Sequence, residues 1–243
     1  MLSANYLASC SDDLVKLYSQ LELDILVDMV KRLKRLGSVT ESTLYQMEIY
    51  KEIGGLQEKV LEIIHSYDNQ SQKMILELFN DATQKATVND LKMFSDRKLT
   101  DDQRQLIEAT MKKLQSAPII NSNKKTRKDF ADGQAIKVFS GLQRLTMTIA
   151  DTSSNQFVQV ANKLYMQVSS GAFSYDKAFK MGVDELARQG VYTVSYTDSI
   201  DFDDPEVQIG AKPQAVVRSI ESAVRSNILS GINQTVSQIT QDN

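Results

Sequence analysis

The stretch Ser11 to Gly37, SDDLVKLYSQLELDILVDMVKRLKRLG, decides the fold class. Leu14, Leu17, Tyr18, Leu21, Ile25, Met29, Leu33 and Leu36 recur at steps of three and four, which lines them along one stripe of an α-helix. Ser11 can accept a hydrogen bond from an N-terminal amide, and Asp12 and Asp13 sit where the helix dipole favours negative charge. Lys31, Arg32, Lys34 and Arg35 gather in the last turns, where it favours positive charge, and Gly37 reads as the stop.

Working outward, the same spacing predicts a series of shorter helices. One runs from Thr40 to about Glu52 and ends at Gly54-Gly55; others cover Leu56 to Ser66 and Ser71 to Thr83. Thr87-Val-Asn-Asp reads as a capping box for another turn or two, and Thr100 opens a helix to about Gln115. Ser116 to Lys128 brings Pro118, small polar residues and the basic Lys124, Lys125, Arg127 and Lys128, the composition of a linker. Phe130 to Ser170 is helical in pattern, with a break or kink expected at Thr152-Ser-Ser-Asn. A further helix is capped by Ser174 and closed by Gly190.

One β signal stands out. Val191-Tyr-Thr-Val-Ser-Tyr-Thr alternates apolar or aromatic residues with small polar ones, and Glu206-Val-Gln-Ile-Gly is the expected partner strand. Pro213 then fits the first turn of a last helix carrying Val217, Ile220, Val224, Ile228, Ile232, Val236 and Ile239. The expected fold is mainly α: an elongated multi-helix assembly with a small two-stranded β element near residues 191–209. Its expected organisation is an N-terminal helical domain 1–115, a linker 116–129 and a C-terminal helical domain 130–243 with the β ribbon.

Composition narrows the chemistry. The 243 residues hold 28 Lys+Arg against 31 Asp+Glu, a net charge of −3, too balanced for a general nucleic-acid or anionic-membrane binder. One cysteine, Cys10, and one histidine, His65, exclude an internal disulfide, a zinc ribbon, an HExxH site and an iron–sulfur cluster. No stretch reaches the ~20 apolar residues of a membrane span, and the first residues lack the basic and apolar regions of a signal peptide. No Walker loop, GxGxxG or GxSxG is present. His65 reads as a helix-end residue near carbonyls, and Cys10 precedes a helix N-terminus, where a thiolate is favoured. The acidic run Asp198 to Glu206 offers Asp201, Asp203 and Asp204 as hard oxygen ligands but lacks the Gly and Glu of an EF-hand loop, so a solvated loop is the expectation. Neither catalysis nor a cofactor is expected.

Several segments resemble a known family. Asp13-Leu-Val-Lys-Leu-Tyr-Ser-Gln-Leu-Glu-Leu-Asp-Ile-Leu is similar to the opening helix of the phage minor capsid protein 2 family. Tyr45-Gln-Met-Glu-Ile-Tyr-Lys-Glu-Ile-Gly-Gly-Leu-Gln-Glu-Lys-Val resembles its second and third helices. Tyr175-Asp-Lys-Ala-Phe-Lys-Met-Gly-Val-Asp-Glu-Leu-Ala-Arg-Gln-Gly-Val and Ile220-Glu-Ser-Ala-Val-Arg-Ser-Asn-Ile-Leu-Ser-Gly-Ile-Asn-Gln-Thr resemble later segments, with Arg225 and Gln234 at matching positions. The resemblance implies a structural virion protein of a tailed phage, encoded near the portal and built into the head in few copies, more than one. It also implies a host-cytoplasmic stage during assembly. Some members carry an enzymatic extension beyond the last helix; the sequence ends at Asn243, and no such activity is expected of it.

The expected partners are the portal protein, the major capsid protein or both, with weak contact to packaged DNA and none to membrane. The candidate interaction surface is Lys31, Arg32, Lys34 and Arg35, then Lys124, Lys125, Arg127 and Lys128, then Arg218 and Arg225. Two other readings stay open: a helical adaptor in a soluble complex, and a metal-dependent hydrolase built on the Asp198–Glu206 loop.

Overall fold

A computed structural model describes residues 2–39, 41–95, 127–196 and 215–241, with positions 100, 102, 105 and 109. The described elements are α1 (Ala4–Ser9), α2 (Asp12–Arg35), a 3-10 turn (Leu36–Ser38), α3 (Ser42–Ser95), α4 (Arg127–Ser169), α5 (Tyr175–Gln189), β1 (Tyr192–Tyr196), β2 (Ala215–Ser219) and α6 (Ile220–Gln241). The fold is mainly α with one small antiparallel sheet.

Helix α2 follows its apolar stripe closely: Leu21, Ile25, Met29 and Leu33, four residues apart, are each fully buried. Its ends differ from expectation. The Ser11 hydroxyl accepts from the Arg225 guanidinium at 3.1 Å. Gly37 lies inside the 3-10 turn, and a side chain there would overlap the Tyr175 ring, so this glycine serves close approach. The left-handed glycines among the described residues are Gly171 and Gly190.

The separate helices expected between 40 and 90 are one continuous helix, α3, which runs through Gly54-Gly55, Ser66 and Ser71. Glycine and serine weaken a helix, but a stripe of buried Ile49, Leu56, Val60, Ile64, Ile75 and Phe79 outweighs their propensity. Ser66 and Ser71 return their hydroxyls to the carbonyls of Ile63 and Asp68, three residues back, so neither needs to leave the helix. The same device corrects the break expected at Thr152-Ser-Ser-Asn. Thr152 donates to Ile149 O and Ser154 to Ala150 O, and α4 continues through them.

The strand at 192–196 is present, but its partner is Ala215–Ser219, with Tyr192 opposite Ser219 and Tyr196 opposite Ala215. Residues 206–210 lie outside the described residues. The segment Ala215-Val-Val-Arg-Ser, expected to be helical, is extended; Val216 and Val217 suit a strand, and α6 begins only at Ile220. Helix α5 has the expected bounds, with Ser174 as N-cap and Gly190 closing it at φ 61°, although the Ser174 hydroxyl makes no capping bond. The helix expected from Thr100 to Gln115 and residues 116–126 of the expected linker fall outside the described residues, save the isolated positions named above.

By contacts the chain forms two compact units, each assembled from separated segments: residues 1–17, 68–142 and 224–243 in one, 18–67 and 143–223 in the other. In the first, Gly231 of α6 has no Cβ to meet Val138 and Phe79, so α3, α4 and α6 close together there. Tyr6 donates to Asp81 at 2.9 Å, Asn80 to Asp132 at 2.8 Å, and Arg225 to Asp12 at 3.1 Å. In the second, Gly182 of α5 lies where Val160 and Leu33 leave no space for a larger residue. The amide of Val191 donates to Glu22 at 2.7 Å, and Thr152 Oγ1 donates to the Tyr192 carbonyl at 2.8 Å, fixing the entry to β1.

Candidate interaction surfaces

The basic end of α2 separates into two kinds of residue. Lys31 and Lys34 are exposed. Arg32 turns inward, its side chain only 11% exposed. It donates to Asp28 at 2.6 Å, to Glu52 Oε2 at 2.9 Å and to the carbonyls of Glu52 and Gly55 at 3.2 and 2.8 Å. Arg35 donates from Nε and Nη2 to the two Glu52 oxygens at 2.8 and 2.6 Å. The Arg35 hydrogen bond, with help from the charges of both guanidinium groups, holds the Glu52 carboxyl below its usual range against the opposing effect of burial. Gly55 completes the arrangement, since a Cβ there would lie 2.7 Å from Arg32 Nη1. Two of the four candidate surface residues in this group therefore tie α2 to α3.

The remaining basic candidates are equally mixed. Arg218 lies exposed on β2. Arg225 is partly buried and engages Ser11 and Asp12. Lys124 and Lys125 lie outside the described residues, as do the side chains of Arg127 and Lys128, whose backbone opens α4. The acidic run 198–206 also lies outside them. No cluster of metal-ligating side chains occurs among the described residues.

His65 sits in the body of α3, exposed and far from either end, so the helix-end role expected for it does not hold. Cys10 is half-buried and donates to Leu7 O; burial pushes its thiol up, away from the thiolate expected there.

Pattern reading missed a tyrosine-lined cavity of about 320 Å³ in the second unit. Leu36, Val39, Tyr45, Leu164, Val168 and Tyr175 are among its walls. Tyr45 donates its buried hydroxyl to Ala161 O at 2.8 Å and packs on Tyr165 at 4.6 Å between ring centroids. Tyr175 donates to the carbonyls of Leu33 and Lys34 at 3.3 Å. These hydroxyls are committed to the framework, and the cavity presents mainly apolar surface. Elsewhere in the unit, Tyr67 donates to Asp24, and burial with that bond pushes its hydroxyl up to about 12.

Large apolar side chains also remain on the outside of the second unit's helices, including Met47, Tyr50, Met147 and Met166, each more than 60% exposed. The family model described as Phage minor capsid protein 2 matches residues 2–243. The chain belongs to that family. This minor capsid protein is therefore a component of the phage particle, in contact with other virion proteins. No curated protein and no solved structure matches it. No helix among its described residues is long and apolar enough to cross a membrane.

Proposed function

We propose that this minor capsid protein is a structural part of the head of a tailed phage, bound at the portal vertex or the inner capsid surface during head assembly. The observation that carries the reading is the family match over nearly the whole chain. The internal arrangement supports it. Charged groups of α2, α3 and α6 tie helices together, while Met47, Tyr50, Met147 and Met166 face outward. Exposed methionines adapt to an irregular partner surface at little cost.

Of the candidate basic residues, Lys31, Lys34 and Arg218 are exposed and outside the Glu52 junction, placed to meet an acidic partner patch. Lys124, Lys125, Arg127 and Lys128 belong to the same proposal on sequence alone. Arg32, Arg35 and Arg225 act by holding the framework that carries them. Any contact with packaged DNA is weak and salt-sensitive, because so few cations are involved. The protein works without a catalytic step and without a cofactor, and release with the DNA is a further property of the same placement.

The test is quantitative mass spectrometry of purified particles, followed by a reconstruction of the portal vertex without imposed symmetry. The protein should be present in a few copies per particle, in density at the portal or the inner shell. Its complete absence from mature particles and from assembly intermediates overturns the reading.

A further inference from the structure

The outer face of α3 between residues 43 and 65 is complementary to itself. At 3.6 residues per turn, Thr43, Met47, Tyr50, Glu58 and Leu61 all point within about 40° of the direction of Gly54. All of them are exposed: Tyr50 by 74%, Met47 by 62% and Leu61 by 43%. Gly54 stands at the centre with nothing within 4 Å of the place its Cβ would occupy. Its neighbour Gly55 is accounted for by the Arg32 guanidinium; no feature among the described residues accounts for Gly54.

We propose that a second copy of this chain packs on this face, antiparallel, with the two-fold axis at Gly54. Turning one α3 over onto the other about that axis brings residues an equal number before and after Gly54 to the same height. Met47, seven before, meets Leu61 of the second copy, seven after. Lys51 and Glu58 lie on the same side of the seam, so each Lys51 ammonium reaches Glu58 of the other copy, and the pair occurs twice. Lys51 is 74% exposed on the side chain and, among the described residues, pairs with Glu48 at 3.2 Å on its own helix, so it is available to turn. Glycine on the axis lets the backbones approach closely, and the apolar residues flank it on both sides. The charge match selects the antiparallel copy. In a parallel pair the Lys51 and Glu58 side chains of the two copies fall on opposite flanks of the seam, so neither ion pair can form. The inference does not depend on where the protein sits in the particle.

Sedimentation velocity of the full chain over a wide concentration range tests it. A dimer should form on raising concentration. Lys51→Glu and Glu58→Lys should each weaken it about fivefold, the worth of two rim ion pairs. The double variant should restore it. Under mild oxidation, Gly54→Cys in a Cys10→Ser background should give a covalent dimer, while Gln70→Cys, exposed but outside the stripe, should not. Lys51, Gly54, Glu58 and Gln70 are exposed, and Cys10→Ser keeps the size and the donor of that half-buried side chain, so helicity by circular dichroism should be unchanged. If a charge reversal does unfold the chain, the cross-link decides. A chain that stays monomeric, a dimer indifferent to both reversals, a double variant no better than the singles, or no cross-link through position 54 overturns the inference.

Discussion

Glu52→Gln removes one charge from the junction of α2 and α3 and changes almost nothing else. The carboxylate is buried and accepts three guanidinium bonds, one from Arg32 and two from Arg35. The Arg32 bond is buried on both sides, and a charge-assisted bond of that kind contributes about 1.5–3 kcal/mol. The Arg35 side chain is 55% exposed and regains water when released. Its share is accordingly no more than about 1 kcal/mol. Arg32 keeps Asp28 and two carbonyls, so the cost falls short of a fully orphaned buried charge. The expected loss is about 3 kcal/mol. At roughly 2–4 °C per kcal/mol for a chain of this size, that lowers Tm by about 6–12 °C.

Acid supplies a second reading of the same contact. The folded Glu52 carboxyl sits below its ordinary range because Arg35 and Arg32 favour its charged form. A depressed carboxylate stabilises fully above the unfolded value of about 4.3 and loses that contribution as pH falls through the folded value. Thermal melts from neutral pH downward should therefore show an acid loss in the wild type that is reduced in Glu52→Gln. If the variant melts within 1–2 °C of wild type at neutral pH, or if the two acid profiles stay parallel, the Arg32–Glu52–Arg35 junction does not hold these helices together.

Three further outcomes follow from the geometry. Gly54→Ala should raise stability by about 0.5–1 kcal/mol through helix propensity, whereas Gly55→Ala should lower it because its Cβ meets Arg32; urea titration of both separates the two glycines. Gly231→Ala overfills the space beside Phe79 and Val138 and should cost about 1–3 kcal/mol, read as a lower urea midpoint. Thr152→Val removes the bond to the Tyr192 carbonyl and should cost about 1–2 kcal/mol while speeding amide exchange in β1, measured by hydrogen–deuterium exchange.

Helix α2 was legible because one amphipathic stripe, a pair of acidic residues and a basic end all agree. The boundaries within α3 were not, since Gly54-Gly55 looks like a stop and only the packing of Arg32 and the buried stripe shows otherwise. Thr152 and Ser154 misled in the same way: a hydroxyl that bonds back along its own helix looks, in sequence, like a turn residue. The β2 strand was hidden because Val217 also fits the apolar period of α6, and pairing with β1 decides the matter. The Glu52 junction did leave a signal. Tyr45, Ile49, Glu52, Leu56 and Val60 follow the helical apolar period, and a carboxylate in that register must find a cation. The tyrosine-lined cavity left none, because its walls come from residues more than a hundred positions apart.

The interleaving of the two units constrains how the protein is made. The unit that includes residues 1–17 also includes 224–243, so its first helix has no complete partner set until the last has left the ribosome. At about 5–20 residues per second, the opening segment waits on the order of ten seconds or more before α6 can reach it. Until then its partners within the emerging chain come from α3, as Asp81 partners Tyr6, or its shielding comes from a chaperone.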